Sequence, residues 1–215
     1  MYNLLEFDQL DSTQLYARTL LDKINCNTLI TTKIQTNGIG QRGNKWISYP
    51  SNFCGSFIFH NFSYHKYAPG HIAIVVAAAI GDFFTQHQFE NFSFKWPNDI
   101  YDKKCLKKLG GILCEIHDNN LIVGIGINFL LHPSILNNAT TLTDLGAKTL
   151  IRNWENLAFF KHIHQALLTY NKEGFSVFQK YWENHCSHMN KFMRTSCGKE
   201  GIFIGLQNTG FPHFK

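Results

Sequence analysis

Gly38-Ile39-Gly40-Gln41-Arg42-Gly43-Asn44-Lys45-Trp46 is the stretch on which the fold turns. Its glycines at 38, 40 and 43 have the Gly-x-Gly-x-x-Gly spacing of a dinucleotide-binding turn, which would make the chain a doubly wound parallel-sheet protein. Such a turn opens a helix, and an acid follows about 20 residues on to take a ribose hydroxyl. Neither condition holds. Asn44 to Pro50 is no helix start, and Phe59-His60-Asn61-Phe62 stands where the acid belongs. A Gly-Lys-Ser/Thr phosphate loop is also absent. Two readings remain: a glycine-rich loop whose N–H groups close over a phosphate with Arg42 or Lys45, or a plain surface loop.

Outward from this loop the pattern is mixed. Leu4 to Phe7 reads as a short strand, and Asp11-Ser12-Thr13 offers caps for a helix through Leu15, Leu20, Leu21 and Ile24. Thr28 to Ile34 and the aromatic Phe53 to Phe62 read as strands on either side of the long polar stretch Gln35 to Asn52. Ile72 to Gln86 has helical length, and Phe92 to Trp96 alternates like a strand that stops at Pro97. Gly111 to His117 and Asn120 to Phe129 form a hairpin, and Asn156 to Asn184 is an amphipathic helix with Leu157, Phe160, Ile163, Leu167 and Phe175 inward. After Cys186 only short strand-like pieces such as Gly201 to Gly205 remain. Helices and strands are interleaved without a repeat, so the first 150 residues form one α/β or α+β domain.

Composition narrows the function classes. With 215 residues, 44% of them apolar and only 16% charged, the chain can bury a sizeable core and is not disordered. Its longest apolar run, Ile72 to Ile80, is nine residues, about half of what a bilayer-spanning helix needs. No secretory signal opens the sequence, so a cytoplasmic location is expected. The six cysteines, at 26, 54, 105, 114, 186 and 197, contain no Cys-x-x-C pair and need no disulfide framework. His185-Cys186 with His188 is a single ligand cluster, and one cluster does not make a tetrahedral zinc site. The net charge of +5 suits an anionic ligand without requiring nucleic acid.

Two further motifs carry chemistry. In Lys95-Trp96-Pro97-Asn98-Asp99, the proline fixes the exit of a strand and holds two polar side chains at its end. Asp99 either positions Mg²⁺ or a neighbouring cation, or caps N–H groups of a turn. In Lys107-Lys108-Leu109-Gly110-Gly111-Ile112-Leu113-Cys114-Glu115, an ammonium leads into a strand whose glycines let a ligand approach the backbone, whereas the plain alternative for most of Lys103, Lys104, Lys107 and Lys108 is a solvated hairpin tip.

In this order the motifs resemble those of the biotin protein ligases. The likeness runs from Asp11-Ser12-Thr13 through Gly38 to Trp46, Lys95 to Asp99 and Lys108 to Glu115, to Gly124-Ile125-Gly126-Ile127-Asn128, and covers residues 4 to 186. It implies an α+β fold resembling class II aminoacyl-tRNA synthetases, a mixed sheet with helices on one side. A catalytic domain over 1–186 would be followed by an abbreviated SH3-like segment over 187–215. It also implies a reaction: biotin and Mg-ATP form biotinyl-5′-adenylate, which a lysine of a carrier domain then attacks. Catalysis would fall to Lys108, Arg42 and Asp99, the last also as the Mg²⁺ ligand. Biotin would be held by Ser12, Thr13, Gln14 and Gln35, by Gly38, Ile39, Gly40 and Gln41 of the loop, and by Lys108, Gly111, Leu113 and Gly126. ATP would be held by Arg42, Trp46, Lys95, Asn98 and Asn128. The expected partner is the biotin carboxyl carrier domain of acetyl-CoA carboxylase, with no DNA, no membrane, and a sheet edge open to a homodimer.

The loop departs from the family's Gly-Arg-Gly-Arg-x-x-Arg-x-Trp. Ile39, Gln41 and Asn44 stand at the arginine positions, leaving Arg42, one position off, and Lys45. Either Arg42 replaces the usual phosphate contact or the adenylate is held more loosely. Two rivals are a lipoate or octanoate ligase or transferase of the same fold, whose Arg-Arg-x-x-Gly-Gly-Gly motif is missing, and a non-catalytic nucleic-acid module stacking bases on Trp46 and Trp96.

Overall fold

The computed structural model describes residues 2–63, 69–104, 107–130, 138–195 and 198–215. Cys105 and Cys197 lie outside them, and no disulfide joins the described cysteines.

Strand β1 (Tyr2–Leu10) leads through Ser12 into helix α1 (Thr13–Leu20), whose first turn Ser12 caps by accepting from Leu15 N at 3.3 Å. α1 is a crossover, so β2 (Asn27–Gln35) returns parallel to β1. All other neighbours pair antiparallel: β3 (Phe53–Phe59), β7 (Asn120–Ile127), β6 (Lys108–His117), β5 (Asp99–Asp102) and β4 (Phe92–Lys95). The seven-stranded mixed sheet has the order β1-β2-β3-β7-β6-β5-β4. β6 and β7 form the expected hairpin, with Asp118 at φ 48° in its turn.

One face of this sheet is covered by α2 (Pro69–Gln86), α3 (Lys148–Arg152), α4 (Asn156–Glu173) and α5 (Ser176–Asn184). Leu29, Phe57, Phe59, Val123 and Ile125 point into this core. The alternate residues Ile30, Ile58 and Ile122 point the other way and pack with Ala17 of α1. α1 is thus the helix that departs from the one-sided layout expected, because β2, β3 and β7 are apolar on both faces near its axis. Being eight residues long, α1 covers only part of its face.

The amphipathic stretch from 156 to 184 is two helices. Gly174 at φ 88°, ψ −170° ends α4 in a region that other residues rarely enter. The chain closes with a three-stranded antiparallel sheet of β8 (Phe192–Arg194), β9 (Glu200–Leu206) and β10 (Pro212–Phe214). Glu183 Oε1 accepts from Leu206 N at 2.7 Å, and Trp96 Nε1 donates to Gly210 O at 3.0 Å, which docks this sheet against α5 and the exit of β4.

Candidate functional site

Where α1 stops covering its face, the sheet forms the floor of a cavity of about 340 Å³. Cross-strand register builds that floor in two rows. Ser56, Gly124 and Leu113 form one; Cys54, Gly126, Gly111 and Asp99 form the other. Two glycines make room for side chains that lie directly on the sheet. A Cβ at Gly124 would stand 2.5 Å from Gln14 Oε1, and one at Gly126 would stand 2.3 Å from Trp46 Cζ2.

The first row ends in a neutral hydrogen-bonding cluster. Gln35 Oε1 accepts from Thr13 N at 2.8 Å and from Thr13 Oγ1 at 3.2 Å, while Ser56 Oγ lies 2.9 Å from Thr13 Oγ1 and 3.0 Å from Gln14 Oε1. Gln14 Nε2 is buried and makes no close hydrogen bond. Behind this end, Arg18 clasps Glu115 through Nε at 2.8 Å and a terminal nitrogen at 2.6 Å. Burial pushes the Glu115 carboxyl up, but Arg18, with His117 and a longer contact from Gln14, outweighs it and holds the carboxyl below its ordinary range.

The other end is charged. A register shift between β5 and β6 at Ile100/Tyr101 brings Lys108 opposite Tyr101, and its ammonium folds back over Gly111 to meet Asp99 Oδ1 at 2.7 Å. Asp99 is the single acid among the described residues lining the cavity, against Arg42, Lys45, Lys95, Lys108 and Arg194. Lys95 lies over the Tyr101 ring, 5.0 Å from its centroid. The glycine-rich stretch closes as a narrow ribbon, with Trp46 N donating to Gly38 O at 2.9 Å and Gly40 N to Asn44 O at 2.7 Å. Arg42 sits at its tip in left-handed backbone, φ 56° and ψ 35°. Under the Trp46 indole, burial pushes the Cys54 thiol up to about 11, against smaller opposing contacts from Trp46, Gln35 and Ser48.

The cavity gathers Thr13, Gln14, Gln35, Ile39, Gly40, Gln41, Arg42, Trp46, Lys95, Asn98, Asp99, Lys108, Gly111, Leu113 and Gly126 from the residues singled out above. It leaves out three. Ser12 spends its hydroxyl on the α1 cap, and Gly38 forms the base of the ribbon. Asn128 lines an adjoining recess of about 160 Å³ with Lys45, Trp46 and Lys108, its amide bound to Thr140 O at 3.1 Å and its carbonyl to Asn52 at 3.3 Å. The Asn98 carboxamide is likewise engaged, donating to Ile112 O at 2.7 Å. Ser56 and the β8 residues Met193 and Arg194 also line the cavity and were not picked out from the sequence. A serine inside an apolar strand carries no motif; only the period-two alternation, Cys54, Ser56, Ile58 against Phe53, Phe57, Phe59, separates it from the core-facing set. Of the two tryptophans in the cavity wall, Trp46 lies on Gly126 and Trp96 donates its Nε1 hydrogen to Gly210 O. Among the described residues no group of three His, Cys, Asp or Glu side chains could hold a metal, and His185 instead stacks on Tyr181 at 4.3 Å.

Residues 6–130 match the model of the Biotin/lipoate A/B protein ligase family. The bifunctional ligase/repressor BirA of Escherichia coli is 25% identical over 204 residues, covering 90% of this chain and 62% of that protein. The biotin–protein ligase of Schizosaccharomyces pombe is 28% identical, over 86% of this chain and 34% of its own length. The chain therefore spans less than two thirds of these relatives. Among solved structures, biotin protein ligase from Aquifex aeolicus in complex with biotin and ATP superposes with a TM-score of 0.83 at 27% identity, covering 98% of this chain and 90% of that one. No helix among the described residues is long and apolar enough to cross a membrane.

Proposed function

This chain belongs to the Biotin/lipoate A/B protein ligase family, and on that basis we propose that it joins biotin to a lysine of a carrier protein at the expense of ATP. One observation carries the choice of substrate: a single cavity has an uncharged donor and acceptor cluster at one end and Lys108 at the other. A cyclic urea offers a carbonyl flanked by N–H groups and is matched by Thr13, Gln14 and Gln35. A dithiolane or an alkyl chain offers this cluster no hydrogen-bonding partner.

Biotin's carboxylate then reaches the Lys108 end. In the first step a carboxylate oxygen forms a bond to the α-phosphorus of ATP, the bond from that phosphorus to the bridging oxygen breaks, and pyrophosphate leaves. Two anions must meet for this, and the Lys108 ammonium stabilises the charge where they do. Asp99 holds that ammonium in place beforehand. Arg42 at the ribbon tip and Lys45 beside Trp46 face the side on which a triphosphate would lie. Mg²⁺ would arrive with the nucleotide, for which one or two protein carboxylates are the usual share, and Asp99 is the carboxylate in reach. In the second step a carrier lysine's neutral amine attacks the mixed anhydride carbonyl, AMP departs and the amine loses a proton. The carrier domain of a biotin-dependent carboxylase supplies a lysine of this kind.

The test is ATP–pyrophosphate exchange with biotin, lipoate or neither. Exchange is expected with biotin alone, and Lys108→Ala should lower it by ~10²- to 10³-fold. Exchange driven by lipoate and not by biotin would reassign the substrate, and turnover indifferent to either acid would remove the ligase reading.

A further inference from the structure

The second step of the reaction needs a neutral amine, and at pH 7 an ordinary lysine is neutral in only about one molecule in 2,500. A general base would usually take the proton. Among the described residues lining the cavity there is no histidine, and the single acid, Asp99, is engaged by Lys108 at 2.7 Å. What the lining does hold is positive charge. Arg42 and Lys45 lie on the ribbon, Lys95 on β4, Lys108 on β6 and Arg194 on β8. Two of these are balanced by acids, Lys108 by Asp99 and Arg194 by Glu200 at 3.0 Å. Arg42 and Lys45 face the side on which a triphosphate would lie. Lys95 belongs to neither set. Its ammonium lies 5.0 Å from the Tyr101 ring centroid and 3.5 Å from Tyr101 Oη, and among the described residues no carboxylate pairs with it. The charge is felt nearby: burial first, then Lys95 and Lys191, lower the pKa of His188 from the ordinary 6.5.

We propose that Lys95 activates the incoming carrier lysine by like-charge repulsion, so that the amine sheds its proton to water on entering the cavity. No base is then required. A charge within about 4–6 Å of an ionisable group commonly moves its pKa by about one unit or more, and a like charge disfavours the ionised form. The neutral nitrogen forms its bond to the anhydride carbonyl carbon, and the bond from that carbon to the phosphate oxygen breaks. AMP leaves with the electron pair, and the nitrogen releases its surplus proton to solvent. The neutral Tyr101 ring holds Lys95 without cancelling its charge, as a carboxylate in the same place would. The inference rests on the ligase reading and concerns its second step, for which adenylate formation leaves no dedicated group.

Synthetic biotinyl-5′-adenylate given to the full chain isolates this step from ATP. Single-turnover transfer would be followed from about pH 6 to 9.5 with two acceptors: the biotin carboxyl carrier domain of acetyl-CoA carboxylase, and hydroxylamine, which is already neutral at pH 7. Lys95→Met keeps the apolar stem over Tyr101 and removes the charge. It is expected to raise the apparent pKa of transfer to the carrier by about one unit, slowing that transfer ~10-fold at pH 7, and to slow transfer to hydroxylamine far less. Lys95→Arg, which retains the charge, should keep the original pH profile. An apparent pKa that does not move in Lys95→Met overturns the proposal, as does an equal loss with both acceptors, which would report damage to the site in general. Should the unaltered protein transfer biotin to neither acceptor, the ligase reading itself falls and takes this inference with it.

Discussion

At the scale of single residues, the site is built from what is missing as much as from what is present. Gly124 and Gly126 leave the sheet bare where Gln14 and Trp46 lie on it. The two contacts differ in kind: a carboxamide end can swing aside, whereas a flat indole has to move as a whole. Gly126→Ala is therefore expected to expel Trp46 and raise the KM for ATP ~10-fold, as read from initial rates. Lys108 and Asp99 were singled out in the sequence through motifs that resemble those of the family, since local chemistry alone left the one equally a solvated tip and the other a turn cap. Their 2.7 Å contact was not, since it depends on a register shift between two strands.

Among the elements, periodicity told most. β2, α2 and the β6–β7 hairpin were readable as apolar runs bounded by turn residues. β5 was not, because Asp99-Ile100-Tyr101-Asp102 buries only Ile100 fully and owes its conformation to pairing with β4 and β6. The break between α4 and α5 was also missed. One glycine among apolar positions at helical spacing does not announce a stop, yet Gly174 stands at φ 88° and ψ −170°. Gly174→Ala should therefore destabilise the fold by about 1–3 kcal/mol, measured by urea unfolding, with no change in KM for either substrate. An alanine tolerated at no cost would mean that α4 and α5 can join differently.

On the scale of the whole molecule, the small sheet and the large one are tied by His71. It is buried at the start of α2, stacks on Phe175 at 3.9 Å, and reaches Tyr170 Oη at 2.5 Å and Asn208 O at 2.7 Å. Burial lowers its pKa from the ordinary 6.5, against a smaller opposing contribution from Asn208. Below about pH 6.5 the unfolded chain takes up a proton that the native state refuses, so stability is complete above that value and falls as pH drops toward the native pKa. Melting temperatures followed from about pH 7.5 to 5 should decline, and His71→Gln should flatten the decline. The slope will not vanish, because His164 and His188 are lowered in the same direction. The cavity spans both regimes, grasping one end of its ligand with amides and hydroxyls and the other with formal charges. Dissolved electrolyte reaches these unequally. As ionic strength rises and the Debye length shrinks from about 30 Å at 0.01 M to about 3 Å at 1 M, attraction for an anion at the charged end weakens while hydrogen bonds at the neutral end are left untouched. On the ligase reading proposed above, recognition of the urea and of the nucleotide would therefore answer differently to added electrolyte.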